Sequence, residues 1–142
     1  DWSNIFYYLV ENLFFMNKSK FIGEYSINAS RKMLFPYIST ASGLSQWFAD
    51  DVNITEDKVY TMLWDGEVNR ARIVSIKANQ HIKFEFEGED DDDLNSIEIR
   101  LEMNELTQEV YIKITDYSDL DDQEVTDLWE GLIHDLKEIV GG

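Results

Sequence analysis

The stretch that most constrains this chain is its last. Over residues 125–140 the apolar side chains fall at Val125, Leu128, Trp129, Leu132, Ile133, Leu136, Ile139 and Val140, the three-and-four spacing of one helical face. Both ends of the segment are marked. Asp121 stands where an N-cap belongs, Glu124 completes a capping-box pattern, Lys137 faces the negative end of the helix dipole, and Gly141 can close the last turn. Burying a large side chain gains roughly 1.5–3 kcal/mol before ordering entropy is subtracted, so such a stripe needs a broad apolar partner. Residues 21–117 read as strands able to supply it. The expectation is an α+β domain in which a curved antiparallel sheet wraps around one long C-terminal helix, with two short helices after the first strand.

Residues 21–28 alternate Phe21, Gly23, Tyr25 and Ile27 against Ile22, Glu24 and Ser26, which suits the first strand. Ser30 can cap a short helix through Met33, Leu34 and Phe35 that Pro36 kinks or ends. Residues 39–43 form a small-residue break, and Leu44, Trp47 and Phe48 then place bulky groups at helical spacing. Strands are expected over 52–55, 58–65 and 67–77, with Asp65-Gly66 as a hairpin turn. The slip in alternation between Ala71-Ile73 and Val74-Ile76 predicts a bulge. The clearest period-two runs are Ile82, Phe84, Phe86; Ile97, Ile99, Leu101, Met103; and Val110, Ile112, Ile114.

A chain of 142 residues that is 44% apolar and 13% aromatic can bury one substantial core. Acidic residues outnumber basic ones 29 to 12, and the net charge of −17 repels nucleic-acid phosphates and anionic membrane surfaces. Nucleic acid is therefore excluded as a partner. With no cysteine, the chain offers no disulfide framework, thiolate metal site or cysteine nucleophile, and a cytoplasmic location fits. Residues 1–15 carry the run Ile5, Phe6, Tyr7, Tyr8, Leu9, Val10, but Glu11 and Asn12 interrupt it. The run falls short of the ~20 apolar residues of a membrane span and lacks a basic flank. It reads as a leader or accessory segment ahead of Met16, with a single domain over 16–142.

Residues 87–93 are acidic at almost every position. Consecutive aspartates cannot all turn to one ion, and an EF-hand's glycine and distal glutamate are missing, so a solvated loop is the reading. Asp116, Asp119, Asp121 and Asp122 read as compensation of the helix dipole. His81 and His134 are far apart and read as surface residues without partners. Glycine-rich phosphate loops, His-Glu-x-x-His and Gly-x-Ser-x-Gly are all absent. No catalytic set, metal site or cofactor is expected.

Three segments carry a family likeness: Ile27-Asn28-Ala29-Ser30 before the first helix, Leu44-Ser45-Gln46-Trp47-Phe48 at the second, and Leu128-Trp129-Glu130-Gly131-Leu132 in the last. With the order of elements, they resemble the START-like, helix-grip (SRPBCC) superfamily, and most of all homologues of the heat-shock-protein ATPase activator. Asn104-Glu105-Leu106-Thr107 stands where those relatives often have a glycine-threonine turn, and this chain is far more acidic. The resemblance implies a cavity between sheet and helix for an apolar, lipid-like small molecule, or a surface that engages a larger protein.

Aromatics spread over the elements supply a candidate pocket: Tyr25, Trp47, Tyr60, Trp64, Phe84 and Trp129, with Leu132 from the helix. Arg70, Arg72 and Arg100 are the cations that could receive a ligand carboxylate or phosphate, and Arg72 is the one assigned to the pocket. The expected function is a non-catalytic binding protein. The alternatives are a co-chaperone-like module whose acidic surface meets a basic surface on a protein partner, and a cyclase- or aromatase-type enzyme as the superfamily implies.

Overall fold

Period-two sequence becomes one sheet. The computed structural model describes residues 1–7, 18–88 and 92–142. Its strands are β1 (Ser19–Ile27), β2 (Asp51–Ile54), β3 (Tyr60–Trp64), β4 (Glu67–Lys77), β5 (His81–Phe86), β6 (Ser96–Met103) and β7 (Val110–Ser118). They form a seven-stranded sheet in the order β1-β7-β6-β5-β4-β3-β2, antiparallel throughout. Strands β2 to β7 follow as a meander, and β1 closes onto β7 along its whole length. The connection from β1 to β2 carries α1 (Arg31–Ser39) and α2 (Ala41–Leu44), and α3 (Asp122–Val140) ends the fold. Residues 2–7 are also helical, with Trp2, Phe6 and Tyr7 exposed; the rest of the aromatic run and Met16 lie outside the described residues.

Local chemistry explains the details. Asp65 and Gly66 both take positive φ, 49° and 82°, as a tight two-residue hairpin requires. The register of β4 against β5 shifts between Ile73 and Ser75, the bulge read from the broken alternation. In α3, the Asp121 carboxylate accepts from the Glu124 amide at 2.8 Å, and Gly141 closes the helix at φ 93°.

The buried stripe of α3 is narrower than its sequence suggests. Val125, Trp129, Ile133, Leu136 and Val140 are buried, whereas Leu132 is half-buried and Leu128 and Ile139 are 43% and 38% exposed. The periodicity gives the reason. At about 100° per residue, Leu132, Ile139 and Leu128 lie roughly 60–100° to one side of Trp129, off the centre of the sheet-facing line. They form a shoulder of the helix.

Both short helices differ from expectation. Pro36 does not end α1, which runs on to Ser39 with Leu34 and Ile38 fully buried on its inner side; one lost amide bond is outweighed by that burial. The second helix is the segment read as a break. Thr40 caps it by accepting from the Gly43 amide at 2.9 Å, and the amides of Trp47, Phe48 and Ala49 all turn back onto the Leu44 carbonyl instead of continuing it. Gly43 permits a close crossing with α1: a Cβ there would stand 2.0 Å from the Pro36 carbonyl oxygen.

Candidate functional site

Phe48, just beyond α2, is the hub that brings the separate aromatics together. Its ring lies 5.9 Å from Trp129 on α3 and 6.5 Å from Phe84 on β5, and also 5.4 Å from Trp47 and 5.3 Å from Trp64 at the end of β3. Tyr60 packs edge-on against Phe84 at 5.2 Å. The predicted aromatics thus fall into two groups. Phe84, Trp129 and Phe48 are at most 1% exposed and belong to the core cluster between sheet and helix. Trp47, Trp64 and Leu132 instead line a cleft of about 630 Å³ between the turn after α2 and the shoulder of α3. Its rim is acidic, with Asp50, Asp135 and Glu138.

The polar ends of these rings all have protein partners. Trp47 Nε1 donates to the Tyr37 carbonyl at 2.8 Å, Trp64 Nε1 to the Phe48 carbonyl at 2.6 Å, and the Tyr60 hydroxyl to the Ser39 carbonyl at 2.7 Å. Burial raises the Tyr60 pKa, so that hydroxyl stays a donor. Trp129 Nε1 donates to Asp116 Oδ2 at 2.7 Å inside the core.

That last bond revises the reading of Asp116. It is no dipole-compensating surface acid but a residue of β7, 3% exposed, and its Oδ1 has no partner among the described residues. The signal was present: Asp116 continues the inward series Val110, Ile112, Ile114.

Tyr25 and Arg72 lie apart from the cleft. Tyr25, on β1, has its pKa raised by burial and then by Glu130, which projects from the side of α3 opposite Leu132. Arg72 is exposed beside the fully buried Ala71, so alternation turns it to the outer face of the sheet, opposite Glu85.

The histidines do have partners. His81 Nε2 lies 2.9 Å from Ser75 Oγ, and His134 Nε2 lies 3.1 Å from Glu138 Oε1. The first pair has the spacing of a nucleophile and base, but His81 Nδ1 meets no orienting group among the described residues, and neither Ser75 nor His81 lines the cleft beside Trp47 and Trp64. Of the acidic loop, residues 89–91 lie outside the described residues; Asp93 accepts from the Tyr117 hydroxyl at 2.7 Å and, through its carbonyl, from Lys18 Nζ.

A larger recess of about 930 Å³ opens at the other end of the sheet, by Arg31, Lys32, Asn79, Gln108 and Glu109. No aromatic side chain lines it. Glu109 there accepts from Ser26 Oγ and Tyr111 Oη at 2.7 and 2.8 Å, which lowers its pKa and raises that of Tyr111.

This arrangement of grip sheet and terminal helix is matched by a family description, the START-like superfamily domain, over residues 15–142. The chain belongs to that superfamily. Among solved START-like structures, BfR322 from Bacteroides fragilis is 40% identical, over 81% of this chain and 83% of its own, with a TM-score of 0.56. The Aha1 dimer from Colwellia psychrerythraea is 16% identical and superposes with a TM-score of 0.68, covering 86% of this chain and 96% of its own. CalU16 from Micromonospora echinospora reaches 0.67 at 12% identity, over 87% and 74% of the two chains. The last two likenesses concern the fold alone. No curated protein matches the chain. Among the described residues no helix is long and apolar enough to cross a membrane.

Proposed function

We propose that this START-like domain is a non-catalytic binding module that seats an apolar small molecule in the cleft walled by Trp47, Trp64 and Leu132. The observation carrying this reading is the split of the aromatic cluster. Behind Phe48 the rings close on one another, while in front of it two tryptophans and the α3 shoulder leave a recess of about 630 Å³, within the range of small-molecule sites. Phe84, Trp129 and Tyr60 are then the support of the wall and not its surface.

The test is calorimetric titration of ligand-stripped protein with octanol, beside the Leu132→Trp variant. Saturable binding that Leu132→Trp abolishes, with a ligand-dependent rise in Tm in the parent only, is the expected result. Binding that survives Leu132→Trp unchanged would place the site elsewhere. The net charge of −17 favours a second reading, in which the acidic surface meets a basic protein partner. Complex formation that weakens steeply with salt, in a protein that does not take up octanol, would favour it.

A further inference from the structure

The cleft is short of hydrogen-bond donors, and this narrows what can enter it; the inference rests on the binding reading above. Each side-chain donor on its wall is already engaged by a backbone carbonyl. Ser45 Oγ and Gln46 Nε2 both donate to Ser42, at 3.0 and 3.3 Å, and the two indole N–H groups to Tyr37 and Phe48. The backbone amides are occupied as well. Those of residues 45–49 bond back into α2, and that of Asp50 reaches the Leu63 carbonyl at 2.9 Å. Only the second amide hydrogen of Gln46 is left over among these groups.

Acceptors are in surplus. Asp50, Asp135 and Glu138 stand at the rim, and among the described residues no Lys, Arg or His lines the cleft. Among the described residues, Asp50 accepts from the Asp65 amide through Oδ2 and Glu138 meets the exposed His134 through Oε1, so each keeps a second oxygen. The indoles, held by their N–H groups, have only ring surface to present, which attracts cations and repels anions. A carboxylate or phosphate head would find like charge and few donors; an ammonium head would find carboxylates and π faces.

We propose that the cleft takes a small amphipathic cation, an amine or quaternary ammonium on an apolar body, with the body against Trp47, Trp64 and Leu132 and the head at the acidic rim. The test uses three probes that share one tail: octyltrimethylammonium, octanol and octanoate, each titrated below its aggregation threshold into parent protein and two variants. Asp135→Asn/Glu138→Gln removes charge at the rim. Glu102→Gln/Glu105→Gln removes the same charge at exposed positions of β6 and the turn after it, which controls for the general pull of an acidic protein on cations.

The ammonium should bind about tenfold more tightly than octanoate, and the preference should shrink in the rim variant while persisting in the control. Equal binding of all three probes, or a preference that falls alike in both variants, would overturn the cationic ligand while leaving the cleft as an apolar site. Failure of all three probes to bind would remove both. Uptake of a lysine-bearing peptide but of none of the three probes would overturn the small-molecule ligand in favour of a protein partner.

Discussion

Phe48 divides two regions built from the same residue types. On its inner side Trp129 and Phe84 are sealed; on its outer side Trp47 and Trp64 make a wall. The difference lies in what comes next along each direction. Inward, the continuous sheet meets the buried line of α3, and the rings sit in a core of Ile, Leu, Val, Ala and Met side chains. Outward, the chain turns away after α2 and α3 presents only its shoulder, so Trp47, though only 5% exposed, and the half-buried Trp64 each keep an edge on the cleft. The polar atoms follow the same division. Trp129 meets a buried carboxylate, an arrangement in which losing either partner is expensive, whereas the wall tryptophans meet backbone carbonyls that the fold fixes anyway. Aromatic content thus does not mark a pocket; the extent of the next element does.

This contrast is easiest to break from the inside. Phe84→Ala should cost about 3–5 kcal/mol, since a sealed ring leaves a cavity, and urea unfolding will measure it. A loss nearer 1 kcal/mol would mean that the interior already holds space. Trp129→Phe should cost about 1–3 kcal/mol by leaving Asp116 without its donor. Replacing both, as Asp116→Val with Trp129→Phe, should recover part of that loss, and a double-mutant cycle would read the coupling directly. Additive losses would show that the bond contributes nothing as a pair.

Outside, the effects are smaller and of another kind. Leu132→Trp should change stability by less than about 1 kcal/mol because the cleft is open, where an overpacked core would lose about 1–3 kcal/mol. The smallest effect belongs to the start of α3. The Glu124 amide and then its side chain hold the Asp121 pKa below the usual carboxylate range, so the cap's stabilisation is present above that range and is lost as pH falls through the depressed value. Glu124 is shifted the opposite way by Asp121, which makes its share fade as pH rises. Asp121→Ala should therefore lower Tm at neutral pH and lower it less in acid. A shift in Tm that does not vary with pH would mean that the carboxylate's charge is not what caps the helix.

What could be read in the sequence was whatever depends on neighbours within a few residues. The cap at Asp121, the bulge beside Ile73, the Asp65-Gly66 turn and the alternation of β5 to β7 are all of this kind. Which aromatics wall the cleft was not legible. That depends on Trp47 Nε1 finding the Tyr37 carbonyl and Trp64 Nε1 finding the Phe48 carbonyl, contacts set by how α1, α2 and β3 dock. The helix period marks one apolar side of α3 but not how much of it the sheet covers, so Leu128, Leu132 and Ile139 looked like core. Asp116 was misread for a simpler reason: its acidic neighbours drew it into the surface group, although its parity placed it inside.

The central claim is that ligand meets the outer face of the aromatic cluster while the inner face stays shut. Indole N–H signals of Trp47, Trp64 and Trp129 in a ¹H–¹⁵N NMR spectrum report on both sides at once. On titration with octanol, the Trp47 and Trp64 signals should shift and saturate together while that of Trp129, bonded to Asp116, stays in place. A Trp129 signal that moves with the others, or moves alone, would mean that the space between sheet and helix opens to the ligand, and the division at Phe48 would be wrong.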